Sequence, residues 1–176
     1  MNGIINVYKE RGFTSHDVVA KLRGILHMKK IGHTGTLDPD ATGVLPVCIG
    51  KATKVCGLLT DKDKTYRAVV KLGVMTNTED MTGEILAKHP VLVTKEQIER
   101  AVSKFVGEIE QVPPMYSAIK INGKKLYELA RQGKEVERKA RKVTIYEIKV
   151  LSIDFSENEF TMEVSCSKGT YIRTLC

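Results

Sequence analysis

The chain has 176 residues, 42% of them hydrophobic and 28% charged, with 28 Lys and Arg against 21 Asp and Glu for a net charge of +7. That length suits one domain with a sizeable core, and no apolar run approaches the ~18 residues of a membrane helix. The N-terminal Met1-Asn2-Gly3-Ile4-Ile5-Asn6-Val7 lacks the charged region and cleavage site of a secretory signal. Cys48, Cys56, Cys166 and Cys176 are widely spaced and form no Cys-x-x-Cys pair. This argues against a zinc site and a secreted disulfide framework, and it fits a reducing cytoplasm.

Ile4 to Val7 reads as a short strand. Gly12-Phe13-Thr14-Ser15 then opens a helix capped by Thr14 or Ser15, with Val18, Val19, Leu22, Ile25 and Leu26 as its buried stripe. Lys29 and Lys30 follow, where a helix macrodipole favours cations. Residues 32–43 form a polar loop holding three glycines, His33, Asp38 and Asp40, and Val44 to Gly50 reads as a buried strand behind it. Lys51 to Leu59 is a short helix. Thr65 to Leu72 is a strand with Tyr66, Ala68, Val70 and Leu72 on one face.

Thr76 to Gly83 is turn-rich and reads as loop. Thr94-x-x-Gln97 is a capping box opening a helix with Ile98, Val102 and Phe105 inward and Gly107 as its stop. Pro113 and Pro114 stiffen a junction. Beyond it, residues 115–142 carry nine basic side chains against three acidic ones, a net +6, with a turn at Asn122-Gly123 and a helical pattern around Leu126, Leu129 and Ala130. This segment reads as a basic insertion, and nucleic acid leads the partner list for such a charge. Val143 to Phe155 is β-prone, and Phe160, Met162, Val164 and Cys166 alternate as a half-buried strand does. The expected fold is α+β, a mixed and largely antiparallel sheet flanked by helices.

Several chemistries can be tested on residues 32–50. A phosphate-binding P-loop fails because Gly50-Lys51 is followed by Ala52 and the upstream glycine position holds Leu45. Asp38-x-Asp40-x-Thr42-Gly43 opens like a calcium loop, but its twelfth position is Ile49, where a bidentate Glu is required. No G-x-S-x-G nucleophile elbow exists. A glycosidase pair of Asp38 and Asp40 would need both carboxylates facing one site, with Pro39 fixing the chain between them. A lone carboxylate, Asp38, remains as nucleophile or base, beside the plain alternative of an Asx-turn. His33 has the equally plain alternative of a loop imidazole bonded to backbone.

The motifs themselves resemble one family. G-H-T-G-T-L-D-P-x-A-T-G-V-L-P-V (32–47) and G-x-A-T-K (50–54) are similar to the signature of the TruB-type tRNA pseudouridine synthases. G-I-I-N-V-x-K (3–9), G-F-T-S (12–15), K-x-Y (64–66), G-x-x-T-x-T-x-D-x-x-G (73–83), P-P-x-Y-S-A (113–118), L-Y-E-L-A-R-x-G (126–133) and C-S-K-G-T-Y-I-R-T-L (166–175) follow in the family's order.

The resemblance implies a cofactor-free, metal-free isomerase converting uridine to pseudouridine at position 55 in the T-loop of tRNA. It implies Asp38 as the catalytic aspartate, Arg173 as its salt-bridge partner, Tyr66 stacking on the flipped uracil and Tyr171 beside it in the pocket. His33 would fill the place the base vacates. Residues 115–142 resemble the family's thumb, with Lys120, Lys124, Lys125 and Arg131 on RNA. The partner is then the T-stem-loop, with no membrane and no obligate protein partner, and a monomer is the simplest state. A non-catalytic RNA-binding module and a guide-RNA-dependent synthase are the competing readings. Two departures stand out. Lys9 is followed by Glu10 where the family has Lys-Pro, which is expected to weaken the packing of the first loop. Members also continue past Y-I-R-T-L, so residues 1–176 are expected to be part of a catalytic domain, without the family's C-terminal RNA-binding domain.

Overall fold

Eleven strands and five α-helices form, and every strand pairing is antiparallel, so the α+β, largely antiparallel expectation holds. The computed structural model describes residues 1–176, which divide into two units, Met1–Lys62 and Asp63–Cys176. No helix is long and apolar enough to cross a membrane.

In the first unit the elements are β1 (Gly3–Lys9), α1 (Ser15–Leu26), β2 (Ile31–His33), β3 (Gly43–Ile49), a 3-10 turn (Gly50–Val55) and α2 (Cys56–Thr60). The sheet order is β1-β3-β2, which puts the apolar β3 in the middle. Leu45, Val47 and Ile49 point from β3 into a core with Ile31 and with Val18 and Val19 of α1. Each fully buried side chain of this size contributes about 1.5–3 kcal/mol. Thr14 is the N-cap: its hydroxyl accepts from Asp17 N at 3.0 Å, and the Asp17 carboxylate accepts from Thr14 N at 2.8 Å. Ser15 is thereby released for another task. Ile25, expected in the stripe, sits at its edge in the last turn and is exposed, and Val44 faces outward from β3.

The second unit contains β4 (Lys64–Lys71), β5 (Val74–Thr76), β6 (Ile85–Lys88), α3 (Lys95–Ser103), β7 (Gly107–Gln111), β8 (Lys120–Ile121), β9 (Lys124–Lys125), α4 (Leu126–Ala130), β10 (Arg141–Asp154), β11 (Glu159–Cys166) and α5 (Ile172–Leu175). Its main sheet runs β4-β11-β10-β7. The alternation expected of β11 is realised residue by residue: Phe160, Met162, Val164 and Cys166 are buried and their neighbours are not. They pack with Val70, Ile98, Ile145 and Leu175.

Two expectations fail around α3. The Thr94–Gln97 capping box is present and Ile98 is buried, but the helix ends at Ser103 in a tightened turn, with Lys104 N bonded to Ala101 O and Phe105 N to Val102 O. That turn carries Phe105 out of the helical stripe and leaves it partly exposed. Gly107 does not stop the helix. It opens β7, at φ +114°, a strand too short and too charged for its alternation to stand out in the sequence.

Candidate active site

The segment between β2 and β3 is built by the chain that precedes α1. β2 places His33 opposite Val47 of β3, and Thr34 continues the pairing with its N–H on Pro46 O at 3.1 Å. The loop then lies against residues 9–15. Ser15, buried at the first turn of α1, accepts from Leu37 N at 2.9 Å through its hydroxyl. Gly12 N donates to Pro39 O at 2.9 Å, and Ala41 N closes a turn onto Asp38 O at 3.0 Å. The peptides on either side of Asp38 are therefore both held, while its side chain lies at the exposed surface of the loop.

Beneath it lies Lys9, with no solvent exposure at all. Its ammonium donates to the carbonyls of Phe13 (2.7 Å), Glu10 (3.0 Å) and Pro39 (3.2 Å). A buried lysine needs such partners, since an unsolvated cation is costly. Burial pulls its pKa below 10.5, and the charges of Asp38 and Asp40 oppose that pull. The weakened packing expected from the absent Lys-Pro pair is not found: Lys9 ties the first loop to the Asp38 loop itself. His33 Nδ1 lies 2.6 Å from Gly35 O, which requires the proton on Nδ1 and fixes the ring within its own loop. Asp40 is exposed and makes an ion pair of 3.7 Å with exposed Arg11.

In the second unit Tyr66 sits on β4 opposite Val164, half-buried against the core of the main sheet. Tyr171 caps α5, and Arg173 stands in that helix's first turn, its side chain only 12% exposed. Arg173 Nη1 is 3.5 Å from Asp80 Oδ2. Asp80 is itself the hub of the turn joining β5 to β6. Its Oδ1 accepts from Thr82 Oγ1 (2.6 Å), Thr78 Oγ1 (2.8 Å) and Thr82 N (2.9 Å). Burial pushes the Asp80 carboxyl upward, but these hydrogen bonds and the Arg173 charge outweigh it and leave it below 3.8. The hydroxyl of Thr174 bonds the Glu79 carboxylate, so the turn grips α5 at two successive residues.

The basic insertion forms a hairpin and a short helix. Asn122 and Gly123 at φ +50° and +81° make the tight turn between β8 and β9, as the Asn-Gly pair dictates. Lys120 lies directly opposite Lys125, an unfavourable pairing of like charges unless an anion is shared. Lys125 Nζ is 3.0 Å from Tyr127 OH, and Lys125 and Arg131 stand 5.2 and 5.3 Å from the Tyr127 ring centre. Lys120, Lys124 and Arg131 are exposed.

The site residues expected from sequence thus fall on both units, His33 and Asp38 on the first and Tyr66, Tyr171 and Arg173 on the second. No group of three or more His, Cys, Asp and Glu side chains able to hold a metal occurs. Lys9 and Asp80 were not given roles by sequence reasoning, and Ser15 was read only as a possible helix cap. Each lies inside a quoted motif, which was the available signal, but only the fold reveals what it contacts.

A family model described as TruB family pseudouridylate synthase (N terminal domain) matches residues 23–172. tRNA pseudouridine synthase B of Alkaliphilus oremlandii is 60% identical over 176 residues, covering 100% of this chain and 58% of that protein. The protein of the same name from Lachnoclostridium phytofermentans is 64% identical over 182 residues, covering 100% and 59%. The chain therefore spans about three-fifths of the length of these curated relatives. A solved structure of a Cbf5-Nop10-Gar1 complex matches with a TM-score of 0.74 at 35% identity, over 98% of this chain and 42% of that one. A structure of an H/ACA RNP bound to a substrate RNA containing 2'-deoxyuridine matches with a TM-score of 0.70 at 32% identity, over 98% and 40%.

Proposed function

The chain belongs to the TruB family of pseudouridylate synthases, and on that premise we propose that the full-length protein isomerises uridine to pseudouridine in tRNA, at position 55 of the T-loop, without a cofactor. The observation that carries this reading is the Asp38 loop: an exposed carboxylate whose flanking peptides are fixed by Ser15, Gly12 and buried Lys9. A group held that firmly is ready for chemistry without reorganisation.

The glycosidic bond of a stacked base is out of reach, so the nucleotide is everted before the reaction. Asp38 acts as the catalytic carboxylate while the N1–C1′ bond breaks, the uracil turns, a C5–C1′ bond forms, and C5 loses its proton as N1 gains one. Tyr66 stacks on the everted ring, and Tyr171 and Arg173 complete the binding of the nucleotide. His33 enters the gap left in the loop. Residues 115–142 act as a thumb, with Lys120, Lys124, Lys125 and Arg131 on phosphates. Residues 1–176 are then part of the catalytic domain, working as a monomer in the cytoplasm, with RNA contacts added by the rest of the protein. Identities of 60–64% to tRNA pseudouridine synthase B proteins, against 32–35% to the Cbf5 and H/ACA structures, favour this over a guide-RNA-dependent enzyme.

The test is tritium release from C5-labelled uridine in a T-stem-loop RNA by the full-length protein. Wild type should release it and Asp38→Asn should not. Equal release by both would falsify the role given to Asp38, and no release by either would remove the reading itself.

A further inference from the structure

Gln111 is the last residue of β7 and is only 6% exposed. Both ends of its side-chain amide are used on one backbone residue. Nε2 donates to Tyr171 O at 2.9 Å, and Oε1 accepts from Tyr171 N at 2.8 Å. This is the pair of bonds a neighbouring strand would make, supplied at a point where the chain has already left β11.

What the clamp holds is the entry to α5. Tyr171 is the N-cap of that helix, at φ −98° and ψ 109°, and no side chain caps it. Its conformation sets both the direction of its own ring and the direction in which α5 carries Arg173 two residues later. A helix of four residues has little internal rigidity, since nucleating a single turn is unfavourable by itself. Its aim comes from outside, from the Asp80 turn at Arg173 and from Gln111 at Tyr171. Gln111 also lies two residues before Pro113-Pro114, where the chain leaves the main sheet for the basic insertion.

We propose that Gln111 is a positioning residue for the isomerisation. Its amide fixes the Tyr171 backbone and so aims the Tyr171 ring and the Arg173 guanidinium, without touching RNA itself. This rests on the roles given to Tyr171 and Arg173 above. The chemistry of the clamp is demanding, because one group must donate and accept side by side. A carboxylate at this position would accept from Tyr171 N but turn lone pairs toward Tyr171 O. A protonated carboxyl would restore the pattern, with its O–H in place of the amide N–H. A thioether could do neither.

The experiment compares wild type, Gln111→Met and Gln111→Glu in the full-length protein. It measures single-turnover pseudouridine formation and the Kd for a T-stem-loop RNA between pH 5.5 and 8. Gln111→Met should lose roughly ten- to a hundredfold in rate at every pH, with Kd within about twofold of wild type, as expected when one or two bonds worth about 1–1.5 kcal/mol each are lost from an aimed group. Gln111→Glu should match that loss at pH 8 and recover relative to wild type as the pH falls, while its folded fraction, read by circular dichroism, stays constant. A brace needed only for folding would recover rate and folded fraction together. If Gln111→Met does not melt cooperatively, the Gln111→Glu profile decides alone. Rates of both variants within about twofold of wild type, or a Gln111→Glu ratio that is flat with pH, would overturn the inference. A wild type that forms no pseudouridine would instead remove the functional reading on which it stands.

Discussion

The ammonium of Lys9 lies 3.2 Å from the carbonyl oxygen of Pro39, the residue that follows Asp38, and has no solvent exposure. One buried cation therefore ties the end of β1 to the loop that carries the proposed catalytic carboxylate. Lys9→Met keeps the length of the side chain and removes the donor from the Glu10 and Phe13 carbonyls, while Pro39 O keeps only Gly12 N. An expected cost of about 1–3 kcal/mol follows from the hydrogen bonds lost to these part-buried carbonyls, and urea denaturation measures it. The rate of pseudouridine formation should fall about tenfold or more as the loop loosens, with RNA affinity less affected. A variant as stable and active as wild type would mean that the loop is held without Lys9.

Asp80 gives a pH-dependent prediction. Its carboxyl lies below 3.8 in the folded chain, because the Thr78 and Thr82 hydrogen bonds and Arg173 outweigh its burial. The folded state thus binds this proton less readily than the unfolded state does. The stabilising contribution is fully present above 3.8 and is lost as pH falls through the folded value. The stability difference between wild type and Asp80→Asn should shrink as the pH is lowered below about 3.8, as read from denaturation curves between pH 6 and 2.5. At neutral pH the same variant removes the charge held against Arg173, and turnover should fall about ten- to a hundredfold, in line with a charge-assisted bond of about 1.5–3 kcal/mol. A pH-independent stability difference would remove Asp80 as the hub of this turn.

Much of this arrangement was legible in the sequence, and the illegible part has a physical pattern. The alternation of Phe160, Met162, Val164 and Cys166, the cap at Thr14 and the Thr94–Gln97 capping box report local periodicity and local hydrogen bonds, and they survive intact. Ile25 and Phe105 were misplaced because each lies at the end of a helix, where the stripe no longer dictates burial. β7 was missed because its Glu108 and Glu110 hide a strand whose inward residues are Gly107, Ile109 and a buried glutamine. Asp38 and Arg173 carried their candidacy in motif residues, whereas Lys9, Ser15 and Asp80 act through contacts with residues 22 to 93 positions away. No local pattern encodes a contact of that range.

Gly83 closes the Asp80 turn. A Cβ there would collide with the side chains of Thr78 and Asn77. Thr78 cannot yield freely, because its hydroxyl is committed to Asp80 Oδ1 at 2.8 Å. Gly83→Ala should therefore act at a distance, displacing Thr78 and loosening Asp80 from Arg173. The expected outcome is a loss of about 1–3 kcal/mol in stability together with a fall in turnover that resembles Asp80→Asn. Combining the two substitutions tests the route: if both act through Asp80, the double variant should be less impaired than the sum of the single losses. Strict additivity would place the effect of Gly83 elsewhere.

The basic insertion permits a separation of binding from folding. Lys124 is exposed and opposite Ile121 in the hairpin, whereas Lys125 bonds Tyr127 OH and stands against its ring. If the segment grips phosphates, each neutralised contact releases counterions and adds about 0.7–0.9 to the slope of log K against log salt. Lys124→Ala should lower that slope by about one contact and leave the thermal midpoint unchanged. Lys125→Ala should lower the slope by a similar amount and the midpoint as well, because Tyr127 loses a hydrogen bond and a cation on its ring. Filter-binding titrations of a T-stem-loop RNA across a series of salt concentrations measure the slope. Slopes that stay at the wild-type value in both variants would return Lys124 and Lys125 to an ordinary solvated surface.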